Sequence, residues 1–383
     1  MNNKRLIYLD NAATTPLLPQ VKEAMAKVAD KYGNPSSLYE IGQEAHRLVE
    51  ESRRTVAEYL GCKPECIAFN SGGSEGDNHA LISAFLYAQD AGLGNHIITS
   101  KIEHHAILHT CKVLERYYGA RVTYLDVDKD GLVRLDELND AIGLDTFLVS
   151  IMGANNEIGT VQDLAEIRRI TDNHGVLFHS DCVQLFPHER ISVDNIDMMS
   201  VSAHKFGGAK GTGFFYKSPT TPPLPPLISG GSQENGTRAG TENVMGIVGL
   251  AEAVRQLSAH VDEWESHVAK LSVHILGRIS SEIPGVTLNG GFGHRLAGNL
   301  NFSIRGVRGE ELMTLLDVYG VCVSTGSACN SSSGEPSHVL LAIGLDGDAA
   351  NSSVRITLSH ENTMEDVDFA VDCLKRQVAR LRG

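Results

Sequence analysis

Between about residues 55 and 215, short apolar runs alternate with helical patterns, and this order constrains the fold more than any other feature of the chain. Cys66-Ile-Ala-Phe69, His96-Ile-Ile-Thr-Ser100, Ala120-Arg-Val-Thr-Tyr-Leu125, Thr146-Phe-Leu-Val-Ser-Ile151, Val176-Leu-Phe-His-Ser180 and Ile196-Asp-Met-Met-Ser-Val-Ser202 all have strand length. Strands joined through helices pair in parallel, and a sheet covered by helices on both faces gives unbroken apolar runs rather than alternating ones. The expectation is an α/β chain with a mostly parallel sheet sandwiched by helices. Ligands of such sheets gather outside the carboxyl ends of the strands, so the residues just after each run matter most.

Those residues carry chemistry. After Phe69 comes Asn-Ser-Gly72-Gly73-Ser74-Glu75, small residues at a strand-to-helix turn that expose N–H groups to a phosphate at the helix N-terminus. Lys101-Ile-Glu-His104-His105 follows the second run, and Gly153-Ala-Asn155-Asn156-Glu-Ile-Gly159 follows the fourth. The adjacent histidines do not share a face, and no Cys or carboxylate completes a metal ligand set with them, so no metal is expected. Asp181 ends a strand three residues before Gln184. It reads either as a helix N-cap or as a carboxylate that keeps a heteroaromatic nitrogen protonated. Ser202-Ala-His204-Lys205-Phe-Gly-Gly places a lysine at a strand end with glycines beside it. A desolvated amine there suits imine chemistry, whereas solvated lysines are the common case. Gly207-Gly-Ala-Lys-Gly-Thr lacks the glycine spacing and the Lys-Ser/Thr pair of a phosphate-binding loop.

Near the end of the chain, Ser324-Thr-Gly-Ser-Ala-Cys329-Asn-Ser-Ser-Ser-Gly334 surrounds a cysteine with small polar residues. Such a run has little apolar surface to bury, so an exposed, mobile loop with a reactive thiol is expected rather than a core cysteine. The seven cysteines, an odd number in a large chain, suit a reducing cytosol and a cytoplasmic protein. A net charge of −14 argues against direct nucleic-acid binding. The start, with four apolar residues before Asp10, is too short for a signal peptide, and no apolar run spans a bilayer.

Taken together, these segments resemble the cysteine desulfurases of the NifS/IscS type within the class V aminotransferases, pyridoxal 5'-phosphate (PLP) enzymes of fold-type I. The resemblance runs in order through Tyr8-Leu-Asp-Asn-Ala-Ala-Thr-Thr-Pro16, Gly33-Asn-Pro-Ser-Ser37, Asn155-Asn-Glu-Ile-Gly159, Ser202-Ala-His-Lys205, Gly230-Gly-Ser-Gln-Glu234, Arg238-Ala-Gly-Thr-Glu-Asn243, Gly326-Ser-Ala-Cys329, Glu335-Pro-Ser-His338 and Ser353-Val-Arg355. It implies that Lys205 holds PLP as an imine, that His104 stacks on the ring and carries protons, and that Asp181 and Gln184 meet the ring nitrogen and phenolic oxygen. It further implies that Gly73, Ser74, Ser202 and His204 hold the phosphate, with Thr241 arriving from the other subunit of a homodimer. Asn156 and Arg355 would hold the carboxylate of L-cysteine, and Cys329 would take its sulfur as a persulfide and pass it to an acceptor protein. An iron–sulfur scaffold is one such acceptor, although the short end at Arg380-Leu-Arg-Gly383 differs from the longer tails of scaffold-serving relatives.

The chain departs from the family pattern at Gly73-Ser74, where Ala-Thr is usual, at Tyr39, often His, and at Cys182, expected to point away from Asp181 and to pack. The resemblance implies a large PLP-binding α/β domain over 16–255 and a small α+β domain from 1–15 and 256–383 carrying the cysteine loop at about 324–337. A helical pattern from about Val244 to Ile283 bridges them, and Pro219-Thr-Thr-Pro-Pro-Leu-Pro-Pro226 reads as an extended connection. Selenocysteine lyase and an ordinary class V aminotransferase share this fold and cofactor, although transamination needs no loop thiol. A different class of function is raised by Asp126-Val-Asp128-Lys-Asp130-Gly131-Leu-Val-Arg-Leu-Asp-Glu137, which has the spacing of an EF-hand calcium loop. The strand-like residues before it favour a strand–turn–helix connection instead.

Overall fold

The computed structural model describes residues 5–326 and 335–383. In chain order the first half contains β1 (Ile7–Tyr8), α1 (Pro19–Val28), α2 (Glu40–Leu60), β2 (Ile67–Asn70), α3 (Gly73–Ala91), β3 (His96–Ser100), α4 (His105–Tyr118), β4 (Arg121–Leu125), α5 (Leu135–Ala141) and β5 (Thr146–Ser150). Then follow α6 (Leu164–His174), β6 (Leu177–Asp181), β7 (Met198–Ser202), β8 (Gly213–Lys217), α7 (Val244–Glu282), β9 (Val286–Leu288) and β10 (Asn299–Ile304). The last elements are α8 (Gly309–Val318), β11 (Val321–Cys322), α9 (His338–Ala342), α10 (Gly347–Asn351), β12 (Ser353–Thr357) and α11 (Met364–Arg382).

The main sheet has seven strands in the order β2-β8-β7-β6-β5-β3-β4. Pairing is parallel from β4 through β7, and β8 runs antiparallel to both its neighbours. Every residue of β3, β5 and β7 is buried, which explains why these strands read as unbroken apolar runs. One core lies on each face of this sheet, around Phe178, Val201 and Phe214 on one side and Leu81, Phe85 and Phe147 on the other. A third core packs α7, α8 and α11 on the antiparallel sheet β12-β10-β9 and on the parallel pair β1-β11. The 39-residue helix α7 serves two cores: Ile247, Leu250 and Val254 face the main sheet, and Val268, Leu271 and Ile275 face the small one.

The Asp126–Glu137 segment is a strand–turn–helix connection. Asp128 spends one carboxylate oxygen on the N–H groups of Asp130 and Leu132, and Asp126 pairs with Lys101 at 2.5 Å. Asp136 and Glu137 sit in the first turn of α5, where the helix dipole favours them. The element before the segment is the strand β4, where an EF-hand requires a helix.

A buried ion pair fastens the segment that carries Thr241. The Arg53 guanidinium on α2 donates twice to Glu234, at 2.6 and 3.1 Å, and once to the Ile67 carbonyl. The same carboxylate accepts the Phe69 N–H at 2.8 Å, and Glu234 itself is held at φ 49°, in the left-handed region. Removing one partner of such a pair leaves an uncompensated buried charge. Glu234→Ala is therefore expected to cost about 3–5 kcal/mol of folding stability. Urea unfolding should show the lower midpoint; a midpoint equal to the parent's would refute this role.

Candidate active site

At the carboxyl ends of the main-sheet strands lies a cavity of about 600 Å³. The loops after β2, β3, β5, β6 and β7 all open into it, bringing Gly73, Ser74, His104, Asn156, Asp181, Gln184, Ser202, His204 and Lys205 together, with Arg355 from β12. Residues up to 343 positions apart thus share one cavity, from Ala12 to Arg355 (355 − 12). Thr241 lines an adjoining pocket with Arg238 and Glu242, which shares Ser71 and Gly211 with the cavity, and is not itself among the cavity's lining residues. Cys329 lies outside the described residues.

One end of the cavity suits an anion. Gly72, at φ 137°, lets the chain turn from β2 into α3, and no side chain caps the helix. The first-turn N–H groups and the helix dipole are left facing Ser202 and His204. Gly73 is also closely packed: an added Cβ would lie 2.4 Å from Val183 Cγ2, so the methyl of an alanine here would require Val183 to move.

The middle of the cavity is electrostatically tuned by burial. Asp181 ends β6 and accepts the Val183 N–H at 2.9 Å. Desolvation pushes its carboxyl up, while His104, the Val183 N–H and Lys205 pull it back down. His104 caps α4 by accepting the Ala106 N–H on Nδ1 at 3.1 Å, which leaves the proton of the neutral ring on Nε2. Desolvation lowers its pKa, opposed by Asp181. Burial likewise takes His204 down to about 4, with Lys205 and Lys210 adding to the shift. Lys205 follows β7 on a short turn, and its Nζ donates to the Ala12 and Ala13 carbonyls at 2.5 and 3.0 Å. Gln184 donates to the same Ala12 carbonyl at 2.8 Å. The amino-terminal segment therefore forms one wall of the site, which the motif Asp10-Asn-Ala-Ala did not disclose on its own.

The far end suits a carboxylate. Arg355 is 1% exposed and donates to Asp10 at 2.7 Å and to the Asn156 carbonyl at 2.9 Å. Its Nε is sealed from solvent without a partner. Arg355 nevertheless lines the cavity, so its charge is available to an anionic group bound there. Across the backbone, Arg355 exchanges both hydrogen bonds with Ser324. Glu157 holds the other flank of the cysteine segment: Ser337 donates to its carboxylate at 2.5 Å, and a Cβ on Gly326 would come within 2.8 Å of the same oxygen. Cys182 is fully buried, and burial pushes its thiol up, so it packs as expected and is a poor nucleophile.

An anion cup, a lysine, a carboxylate beside an imidazole, and a buried arginine match the parts of a phosphorylated pyridine aldehyde and of an amino acid. The model of the family described as aminotransferase class-V matches residues 7–369. The chain belongs to the class-V aminotransferase family. Among this family's members it is 45% identical to the cysteine desulfurase IscS of Dictyoglomus turgidum, over 99% of this chain and 96% of that protein. A solved NifS-like protein superposes with a TM-score of 0.91 at 37% identity, covering 98% of this chain and all (100%) of that one. The structure titled SspA in complex with cysteine gives 0.82 at 35% identity, covering 93% and 99% of the two chains. The fold is thus the expected α/β architecture of fold-type I.

Two residues of the site have a role that the sequence does not disclose: Asp10, which stands in the Tyr8–Pro16 motif but acts by orienting Arg355, and Asp77, which lines the cavity from α3. Each is an ordinary carboxylate until a distant partner meets it. The His104 geometry gives a prediction with a defined sign. A histidine whose folded pKa is lowered contributes stability above its unfolded value of about 6.5 and loses it as the pH falls through the folded value. In nitrogen-15 NMR of histidine-labelled protein, His104 is expected to titrate below 6.5 from an Nε2–H tautomer. An Nδ1–H tautomer or an unshifted midpoint would contradict the cap.

Proposed function

We propose that this protein is a PLP-dependent cysteine desulfurase that converts L-cysteine to L-alanine and carries the sulfur as a persulfide on Cys329. The observation that carries this reading is the buried Arg355, sharing one cavity with Lys205, Asp181 and His104 and joined by backbone hydrogen bonds to the strand that leads to Cys329. The curated relatives' name and the cysteine-bound neighbour support the same substrate.

When bound, PLP supplies an electron sink that makes the substrate's Cα proton removable. In this reading Lys205 anchors the cofactor covalently. The α3 N-terminus with Gly73, Ser74, Ser202 and His204 holds its phosphate. Asp181 meets the ring nitrogen, Gln184 the phenolic oxygen, and neutral His104 covers the ring. Arg355 and Asn156 orient the substrate carboxylate, and Lys205 and His104 move protons at the Cα and at the leaving carbon. The Cys329 thiolate then attacks the substrate's Sγ. The new S–S bond forms as the Cβ–Sγ bond breaks, the electron pair stays on carbon, and a proton completes alanine. No external oxidant or reductant is needed. Ser324, paired to Arg355, precedes Cys329 by five residues (329 − 324).

We place Thr241 at the phosphate of the partner subunit in a homodimer, since in its own chain it lines the adjoining pocket beside Arg238 rather than the cavity. The sulfur passes to an acceptor protein, an iron–sulfur scaffold among the candidates. Among the described residues no helix is long and apolar enough to cross a membrane, and six cysteines there are free, which suits a reducing compartment such as the cytoplasm. The proposed domains are 16–255 for the cofactor and 1–15 with 256–383 for the cysteine segment.

Two variants test the roles separately. Lys205→Ala should fold yet lose the yellow absorbance and the borohydride-reducible attachment of the cofactor; retention of that attachment would refute the lysine assignment. Cys329→Ser should keep the cofactor and still bind L-cysteine, but lose persulfide formation and alanine production by several orders of magnitude, because a hydroxyl is a far weaker nucleophile toward sulfur than a thiolate. Alanine release near the parent rate would remove Cys329 from the mechanism, and a parent enzyme active only on L-selenocysteine would move the assignment to selenocysteine lyase.

A further inference from the structure

Asp77 has no part in the roles given above, yet it is 1% exposed and faces the cavity from the first turns of α3. An oxygen of Asp77, an oxygen of Asp181 and a ring nitrogen of His104 all lie within 4.8 Å of one another. Oδ1 of Asp77 is sealed from solvent with no hydrogen-bond partner. The titratable groups facing it are Asp181, His179, His104 and Glu103.

None of these compensates a charge on Asp77. His179 lies 3.8 Å from Oδ1, but both its ring nitrogens are committed to the hydroxyls of Ser150 and Ser200 at 2.9 Å, and burial keeps the ring neutral. Glu103 is itself buried and, pushed up to about 8 by desolvation, adds no positive field. Asp181, in contrast, has the Val183 N–H and the fields of His104 and Lys205 to support an anion. Two buried carboxyls with oxygens within 4.8 Å of each other do not both ionise at neutral pH, and the better-supported member is the anion. Burial accordingly raises Asp77 well above the carboxylate range.

We propose that Asp77 is a positioning residue, a neutral hydrogen-bond donor to Asp181 that fixes the carboxylate meeting the cofactor's ring nitrogen. One N–H from Val183 pins one oxygen of Asp181 and leaves the carboxylate plane free to swing, because the terminal torsion of an aspartate is broad. A second donor on the other flank sets that plane. It also makes Asp181 a weaker base, so a proton shared with the ring nitrogen resides on nitrogen. This inference rests on the reading of the site as a PLP site with Asp181 at the ring nitrogen.

The test uses full-length protein stripped of cofactor and titrated with PLP and with 1-deaza-PLP, which lacks the ring nitrogen. The parent is expected to prefer PLP. Asp77→Ala should lose about tenfold or more of that preference, the size of a hydrogen bond to a charged group, while affinity for the deaza compound hardly changes. Asp77→Asn should restore the preference to within about threefold, since the amide is a permanent neutral donor of the same shape. Thermal melts of the stripped proteins establish that both variants are folded. An Asp77→Ala protein with the parent's preference, or an Asp77→Asn protein as poor as the alanine variant, overturns the proposal. A parent that binds both compounds equally overturns instead the placement of Asp181 at the ring nitrogen, and the inference falls with it.

Discussion

The burial of the Arg355 guanidinium constrains the rest of this structure. A cation that is 1% exposed must find its compensation inside the protein; the Arg355 guanidinium finds it in two chain regions, and its backbone is tied to a third. Asp10 comes from the amino-terminal segment, the Asn156 carbonyl from the loop after β5, and Ser324 pairs with its backbone from the strand leading into the cysteine segment. Each of those regions then shapes the cavity. The residues just after Asp10 present the Ala12 and Ala13 carbonyls to Lys205, and Asn155 folds the turn beside Asn156 by accepting the N–H groups of Glu157 and Ile158. The same charge that suits a substrate carboxylate thereby ties the small sheet to the large one.

Burial does a second job in the centre of the site. It holds His104 and His204 neutral and raises Asp181, Asp77 and Glu103, so protons sit where desolvation is least costly rather than where solution pKa values would put them. Neutral histidines leave Asp181 as the anion of the set, supported by a backbone N–H. A sink for electrons needs one well-placed negative charge, and a cavity with several would repel the phosphate and the substrate carboxylate that it must admit.

Much of this was legible in the chain. The strand runs were found because a sheet covered on both faces requires uninterrupted apolar residues, and their ends pointed to the site because loops leave a parallel sheet at one edge. One boundary was set locally: α3 begins at Gly73, within the small-residue turn itself, because those turn residues are helical. The EF-hand spacing of Asp126–Glu137 was a coincidence of spacing, resolved by the strand β4 that stands where an EF-hand requires a helix. Asp10 and Glu234 stand inside motifs of the family resemblance, but their pairing with Arg355 and Arg53, like the approach of Asp77 to Asp181, was not legible, since each partner lies between 104 and 345 positions away (181 − 77 and 355 − 10).

By itself the sequence determined the fold class, the family resemblance and the inventory of reactive groups, because periodicity, turn chemistry and short motifs are local properties of the chain. Only the tertiary structure decided which of those groups meet, which are buried, and hence which carry charge. Protonation depends on the neighbours within a few ångströms and on the water excluded from them, and neither is written at any fixed spacing along the chain.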